Sequence, residues 1–214
     1  MIEIPLERLH HGIVQLGLDL PGGAEAKMFA YLSLLAKWNR TYNLTAVRDE
    51  KAMVSQHLLD SLAVLPHLEM ESKEMRSLVD VGSGGGLPGI PLAIARPQLA
   101  VALIEASHKK ASFLQQVKIE LKLENVSVHC VRVEDMDEPG RFDVAISRAF
   151  SSLAEFVRLS AHLLAPGGRL MAMKGVHPDQ EIEQLPAGWR VSRSISLAVP
   201  GLEAERHLIV IEQS

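Results

Sequence analysis

The sequence predicts an α/β fold: a seven-stranded, mostly parallel sheet with helices on both faces, preceded by a helical extension. Three observations carry this. From Ser77 onward, apolar runs of strand length alternate with segments of helical periodicity, the pattern of a parallel sheet with crossover helices. The first of these runs ends in glycines and opens straight into a helix, Leu78-Val-Asp-Val-Gly-Ser-Gly-Gly-Gly-Leu-Pro-Gly89. Residues 1–70 instead repeat their apolar positions every three or four residues, as one buried helix face requires. The expected division is a helical extension over 1–70 and a sheet-based domain over 77–214, with the polar stretch Glu69–Arg76 as linker.

In the extension, Ile4, Leu6, Leu9, Ile13 and Leu16 mark a helix from Ile4 to Leu18 that stops at Asp19-Leu-Pro-Gly-Gly23. Met28, Tyr31, Leu32, Leu35 and Trp38 mark a longer second helix. A third spans roughly Glu50 to His67, with Met53, Val54, His57, Leu58, Ser61, Leu62 and Leu65. The expected strands are Leu78–Val81, Val101–Ile104, Val126–Val131, Phe142–Ser147, Arg169–Met173, Val191–Leu197 and His207–Ile211. Helical segments at Ile90–Ala95, Lys109–Leu121 and Leu153–Leu164, and a short connection near Glu134–Glu138, separate the first five. The last two strands have no clear helix between them, so one of them is expected to run antiparallel.

Composition narrows the class. The chain has 214 residues, 47% hydrophobic and 22% charged, ordinary for a globular domain with an accessory element. Cys130 is the single cysteine, which excludes an internal disulfide and suits a reducing, cytoplasmic setting. Its place in the apolar run Val126–Val131 reads as a small core residue. No basic region followed by an apolar run opens the chain, and no apolar stretch approaches the roughly 20 residues of a membrane span. The net charge of −4 is even: residues 1–76 hold 8 basic against 10 acidic side chains, and 77–214 hold 14 against 16. Gripping bare nucleic acid by overall charge is thereby excluded, which leaves a local patch or a substrate presented by a larger particle. The nine histidines form no metal pattern. His10 and His11 point apart on a helix, and His57-x-x-Asp60 has no partner pair, so no metal is expected.

The glycine turn carries the chemistry. Side chains at Gly82, Gly84 and Gly86 would hold a ligand off the backbone N–H groups and the helix N-terminus. Gly84-x-Gly86-x-x-Gly89 also satisfies the dinucleotide fingerprint, so the glycines alone leave two cofactor classes open. Asp80, two residues before the first glycine, would repel a pyrophosphate and suits a cationic cofactor such as S-adenosylmethionine (SAM). Glu105, 21 positions after Gly84 at the end of the second strand, can accept both hydroxyls of a ribose in either class. Arg132-Val-Glu-Asp135, past the third strand, could meet an adenine edge, although such a loop is polar with or without a ligand. Ser147-Arg-Ala-Phe150 ends the fourth strand. It lacks the Asn/Asp-Pro-Pro-aromatic sequence that holds an exocyclic amine, and Cys130 is misplaced for a cytosine-C5 nucleophile. Ring-nitrogen, hydroxyl or small-molecule acceptors remain. The turn Leu164-Ala-Pro-Gly-Gly-Arg-Leu170 favours SAM over NAD. Ala36–Arg48 holds Lys37, Arg40 and Arg48 and no acid. Its Trp38 and Tyr42 share a helix face, where they either stack on bases or pack the helices together. Lys109, Lys110, Lys118 and Lys122 add charge on another helix.

Lys37-Trp-Asn-x-x-Tyr-Asn-Leu-Thr45, His57-Leu-Leu-Asp-Ser61, Val79-Asp-Val-Gly-Ser-Gly-Gly-Gly-Leu-Pro-Gly-Ile-Pro91, Ile146-Ser-Arg-Ala-Phe150, Lys174-Gly175 and Glu205-Arg-His207 together resemble the bacterial small-subunit rRNA methyltransferase G family, the glucose-inhibited division protein B family. The resemblance runs from about residue 27 to the end. It implies a class I SAM-dependent methyltransferase fold, Rossmann-like, and methyl transfer from SAM to N7 of guanine 527, in the 530 loop of 16S rRNA, leaving S-adenosylhomocysteine. Family contacts to the cofactor fall on Gly82, Leu87, Val133, Glu134 and Arg148. With the residues read above, the expected cofactor set is Asp80, Gly82, Ser83, Gly84, Gly86, Leu87, Glu105, Ala106, Val133, Glu134 and Arg148. Arg148 is the expected catalytic residue, and Lys37, Arg40, Arg48, Lys109, Lys174 and Arg206 are the expected RNA contacts. The expected partner is 16S rRNA or the 30S subunit, met by a cytoplasmic monomer that touches no membrane. Gly85 stands where some members have proline, and Glu105 where many have aspartate.

Overall fold

The computed structural model describes residues 3–68, 75–148 and 150–214, with side chains from residue 6. Most of the expected linker, the side chain of Ile4, and Ala149 lie outside the described residues. Seven strands form one sheet: β1 (Ser77–Val81), β2 (Ala100–Ile104), β3 (Val126–His129), β4 (Phe142–Ser147), β5 (Leu164–Lys174), β6 (Trp189–Ser196) and β7 (His207–Gln213). Their order is β3-β2-β1-β4-β5-β7-β6. The first five run parallel, and β7 runs antiparallel to both neighbours, as the missing helix between β6 and β7 requires. Leaving β1, the chain builds outward to β2 and β3 and then returns to β4 on the other side. The C-terminal ends of β1 and β4 therefore flank the topological switch point, where open α/β sheets bind ligands.

The strands are apolar because both faces are covered, and their alternation separates two layers. Leu78, Leu103, Val144, Ile146, Met171 and Val210 pack with the N-terminal helices, α5 (Gly89–Ala95) and α6 (His108–Glu120). Val79, Val81, Ala102, Ala145, Leu170 and Ile209 pack with Phe156 and Val157 of α7 (Leu153–Ser160). The N-terminal segment begins with α1 (Glu3–Gln15) and α2 (Ala24–Tyr42). In α2, Met28, Tyr31, Leu32 and Leu35 are buried on one face, and Asn43 ends it in the left-handed region at φ 51°, a conformation asparagine tolerates at a helix end.

Several expectations give way. The third helix is not regular. Asp49 caps α3 (Glu50–Met53) by accepting the Ala52 N–H, but Val54–Leu59 widens into a π turn before α4 (Asp60–Leu62). β3 stops at His129, two residues early, and leaves Cys130 exposed. Cys130 is therefore not a core residue; its Sγ lies 3.2 Å from His108 Nδ1 at the start of α6. The Pro166-Gly-Gly168 turn lies inside β5 as a bulge: Phe142 pairs with Leu164, and Val144 already pairs with Arg169. Gly168 permits this, since a Cβ there would lie 2.8 Å from the Ala165 carbonyl oxygen. A short helix, α8 (Asp179–Glu183), follows β5 without an apolar face to announce it: none of its residues is buried.

Candidate functional site

The turn after β1 is held by its own backbone. The Gly82 and Ser83 N–H groups both donate to the Ile104 carbonyl at 3.0 Å, which ties the turn to the end of β2. Ser83 Oγ donates to the Asp80 carbonyl at 2.8 Å. Gly82, Gly84 and Gly86 have φ of 70°, 57° and 88°, a region that costs other L-residues about 1–2 kcal/mol. The glycines divide by what surrounds them. Gly82 is exposed, with nothing within 4 Å of a would-be Cβ. At Gly86 that Cβ would meet Ile90 Cγ1 at 2.6 Å and Leu114 Cδ2 at 2.9 Å, and at Gly89 it would meet Leu103 Cδ2 at 2.4 Å and Asp80 Oδ2 at 2.7 Å. Gly86 and Gly89 thus let α5 close onto the sheet, whereas Gly82 leaves open space over the main chain. Leu87 is buried in the first layer.

Asp80 is fully buried beneath the turn. Its Oδ2 accepts the Gly89 N–H at 2.9 Å, and its Oδ1 has no hydrogen-bond partner among the described residues. Burial pushes its carboxyl up to about 7, against the opposing pull of the Gly89 N–H and Arg148. Glu105 lies one residue past β2, and its oxygens accept the Gly84 N–H at 2.9 Å and the Ser107 N–H at 2.8 Å. Each oxygen keeps a further lone pair, so the residue holds the loop and still has acceptors to offer. Ala106 is exposed beside it. Val133 and Glu134 lie in a short 3₁₀ turn, the first buried and the second exposed. The Glu105 N–H donates to the His129 carbonyl at 3.1 Å, which draws the ends of β2 and β3 together.

At β4, Ser147 Oγ donates to the Val81 carbonyl at 2.8 Å, and Arg148 follows. Its Nη1 donates to the Gln56 carbonyl at 3.0 Å and to Asp60 Oδ2 at 3.3 Å. Arg206 Nε donates to Asp60 Oδ1 at 3.0 Å, and Lys174 Nζ donates to Glu181 Oε2 at 2.8 Å. Gln56, His57, Asp60, Arg148, Met173, Lys174, Gly175 and Arg206 line a pocket of about 310 Å³. Lys174 and Arg206 therefore reach the site as members of ion pairs. His57 is buried at the pocket wall, with Nε2 2.9 Å from Thr45 Oγ1. Burial, aided by Arg148, pushes it down to about 4.

Lys37, Arg40, Arg48 and Lys109 are exposed and line no part of this pocket. The loop carrying Arg48 is tied to it through Thr45 and His57. Trp38 packs on Phe113, with ring centroids 5.6 Å apart, and on Tyr42 at 5.2 Å; this is the packing alternative for Trp38, while Tyr42 stays 41% exposed. The roles of three residues escape the sequence. Tyr31 Oη donates to the Gly85 carbonyl at 2.5 Å and so pins the turn to α2. Gln56 and Asp60 hold Arg148. In sequence Asp60 enters as a rejected metal ligand and as part of His57-Leu-Leu-Asp-Ser61, and neither reading assigns it to Arg148. Among the described residues no group of three or more His, Cys, Asp or Glu could hold a metal ion, and no helix is long and apolar enough to cross a membrane.

The site fits a compact cationic nucleoside. It offers an open backbone cradle at Gly82 and, under it, a buried carboxylate oxygen without a partner among the described residues. Comparison with known proteins points the same way. Residues 24–209 match the profile of the family described as rRNA small subunit methyltransferase G. The chain is 57% identical over 210 residues to "Ribosomal RNA small subunit methyltransferase G" of Aromatoleum aromaticum, covering 96% of this chain and 98% of the relative. It is 50% identical over 217 residues to the protein of that name from Nitrosospira multiformis, covering 98% of each. Among solved structures, a SAM-dependent methyltransferase of Leishmania major superimposes with a TM-score of 0.62 at 15% identity, over 85% of this chain and 83% of that one. One from Aquifex aeolicus gives 0.56 at 19%, over 72% and 90%. At such identities these structures speak for the fold alone.

Proposed function

The chain belongs to the rRNA small subunit methyltransferase G family, and from that premise we propose that it methylates N7 of guanine 527, in the 530 loop of 16S rRNA, within the 30S subunit. It is a SAM-dependent methyltransferase of small-subunit rRNA. When bound, SAM supplies a methyl group on a sulfonium and leaves as S-adenosylhomocysteine. The residues that would hold it are Asp80, Gly82, Ser83, Gly84, Gly86, Leu87, Glu105, Ala106, Val133, Glu134 and Arg148. Residues 77–214 would form the transferase domain, and 1–70 the extension that braces its turn. A monomer in the cytoplasm suits the reading.

One observation carries the choice of atom: the pocket beside the turn is rich in cations, and the carboxylates around it among the described residues, Asp60 and Glu181, are both tied up in ion pairs. Asp60 is buried between two guanidiniums, and His57 is buried with its pKa pushed down. An exocyclic amine would have to lose a proton to a base. Guanine N7 carries a free in-plane lone pair at neutral pH and needs only to be aligned within about 3–3.5 Å of the reacting carbon. Arg148 would orient the base through O6 or a neighbouring phosphate, which would leave N7 open. Its Nη1 bonds to Gln56 and Asp60 fix the guanidinium.

The test compares 16S rRNA from cells with and without the protein, by mass spectrometry of the 530-loop fragment. Expected is one methyl group on that guanine, present only with the protein; a methyl elsewhere, or none, removes the reading. Arg148→Ala, assayed on 30S subunits, should lower kcat/KM at least about 100-fold, the scale of misplacing a reacting group. Near-wild-type methylation would discard its role.

A further inference from the structure

The pocket is organised around a carboxylate that the reaction itself does not use. The Asp60 side chain is 2% exposed. Its two oxygens are divided between two guanidiniums, Oδ2 taking Arg148 at 3.3 Å and Oδ1 taking Arg206 at 3.0 Å. Arg148 follows β4 and Arg206 precedes β7, strands that flank β5 on either side. The sheet sets where the two residues leave the backbone, and among the described residues Asp60 is the one group that both guanidiniums share. The helical run that carries it is irregular at this point: the Asp60 N–H reaches back five residues to the Ser55 carbonyl, closing the π turn. Such turns occur mostly singly and often at functional sites. Here the turn grips Arg148 twice, through the Gln56 carbonyl and through Asp60.

Stability alone is a poor reason to bury this carboxylate. Desolvating a charge is costly even when it is paired, and an apolar replacement is often as stable. The arrangement instead surrounds one pocket with three cations, Arg148, Arg206 and Lys174, against two carboxylates, Asp60 and Glu181. Lys174 is given over to Glu181 at 2.8 Å. The arginine side chains stay 28% and 24% exposed. Asp60 and Gln56 take Nη1 of Arg148, while Asp60 takes Nε of Arg206 and the Glu205 carbonyl takes Nη1 of Arg206 at 2.7 Å. Among the described residues, Nη2 of each guanidinium is therefore left for a ligand. The planar fork of a guanidinium matches the two free oxygens of a phosphodiester.

We propose that Asp60 is a positioning residue for the rRNA: anchored in the π turn, it sets Arg148 and Arg206 as a fixed pair that receives a backbone phosphate of the target strand. The inference rests on the rRNA reading above. Wild-type methylation of rRNA lacking the modification tests that reading; the variants, compared with an active wild type, test the inference. Steady-state kinetics on that rRNA, with SAM affinity by calorimetry, should be measured for Asp60→Asn, Arg206→Gln, Arg206→Lys and the double variant Asp60→Asn/Arg206→Gln.

Weakening the phosphate grip should raise KM for rRNA roughly 10-fold in Arg206→Gln, with kcat and SAM affinity within about threefold. Asp60→Asn, which also releases Arg148, should raise KM at least as much and lower kcat as well. Arg206→Lys, which keeps the charge and loses the fork, should fall between wild type and Arg206→Gln. The double variant should be no worse than Asp60→Asn, because both act through one guanidinium pair. Losses that multiply in the double variant, or an Arg206→Gln enzyme with wild-type KM for rRNA, overturn the proposal. A lower melting temperature without a change in KM assigns Asp60 a structural role and overturns it too. Should Asp60→Asn fail to fold, the two Arg206 variants decide alone.

Discussion

In the glycine turn, eight consecutive residues, 82–89, supply the open backbone, the tight approach of α5 and the N–H that Asp80 accepts. In the charged pocket, Gln56 and Asp60, Arg148, Lys174 and Arg206 arrive from four separate segments and are held by side-chain ion pairs. The two lie side by side, joined where β4 pairs with β1. The turn is held by its own backbone hydrogen bonds to the end of β2 and by the close packing of α5. The pocket is organised because opposite charges were brought together by the fold. A side chain added to the first should break it outright, whereas a charge removed from the second should spare the fold and disturb its partner.

The largest expected effect is in the turn. Gly86→Ala combines a left-handed φ with a Cβ 2.6 Å from Ile90. The backbone strain costs about 1–2 kcal/mol and the overpacking about 1–3 kcal/mol, so a loss near 4 kcal/mol is expected by denaturant titration. Gly82→Ala carries the strain without the clash. It should lose only about 1–2 kcal/mol yet weaken SAM binding at least as much as Gly86→Ala does in its folded fraction. Equal stability losses in the two variants would erase the distinction between packing glycine and cradle glycine.

This contrast explains what the sequence could disclose. The turn is readable because a cluster of glycines straight after an apolar strand marks a backbone path that other residues would strain to follow, and the strands because their apolar runs are contiguous. Spacing alone makes Asp80 a candidate cofactor contact, but its full burial and its bond to Gly89 depend on α5 folding back. The pocket stays hidden because four distant segments share no local signal. Arg148 comes to notice at the end of the fourth strand, and Lys174 and Arg206 through the family resemblance; Asp60 lies within a motif of that resemblance, but nothing in the sequence says that it organises the other three. Nor does a π turn have a composition of its own, so Val54–Leu59 reads as plain helix. Cys130 misleads because its run is apolar in sequence, yet the pairing with β2 ends at His129.

The next effect in size separates the regions by pH. Asp80 has its carboxyl raised from 3.8 to about 7, chiefly by burial. Between those values the folded state holds the extra proton, so this contribution to stability falls as pH rises. His57 is lowered from 6.5 to about 4, again chiefly by burial. Between those values the unfolded state holds the extra proton, so this contribution falls as pH drops. Each is worth on the order of 3 kcal/mol, and in the wild type the two slopes oppose each other. Relative to the wild type, Asp80→Asn should therefore gain stability as pH climbs from 4 to 6.5, and His57→Gln should lose it over nearly the same range. Identical pH profiles for the two variants would show that the regions titrate as one unit.

The smallest effect lies outside both regions. Lys37, Arg40 and Arg48 are exposed and line neither the turn nor the pocket. Replacing all three by alanine should leave stability within about 0.5 kcal/mol per site, along with SAM affinity. If these residues reach rRNA phosphates, the logarithmic salt dependence of rRNA binding should become shallower by roughly 0.7–0.9 for each phosphate no longer neutralised. Trp38 supplies the control. Its ring is spent on Phe113 and Tyr42, so Trp38→Ala should lower the melting temperature and leave the salt slope alone. The reverse result, an unchanged slope and affinity for the cation variant and a lower affinity at unchanged slope for Trp38→Ala, would move the RNA interaction from charge to stacking. It would also leave the two arginines held by Asp60 as the main cationic grip on the substrate.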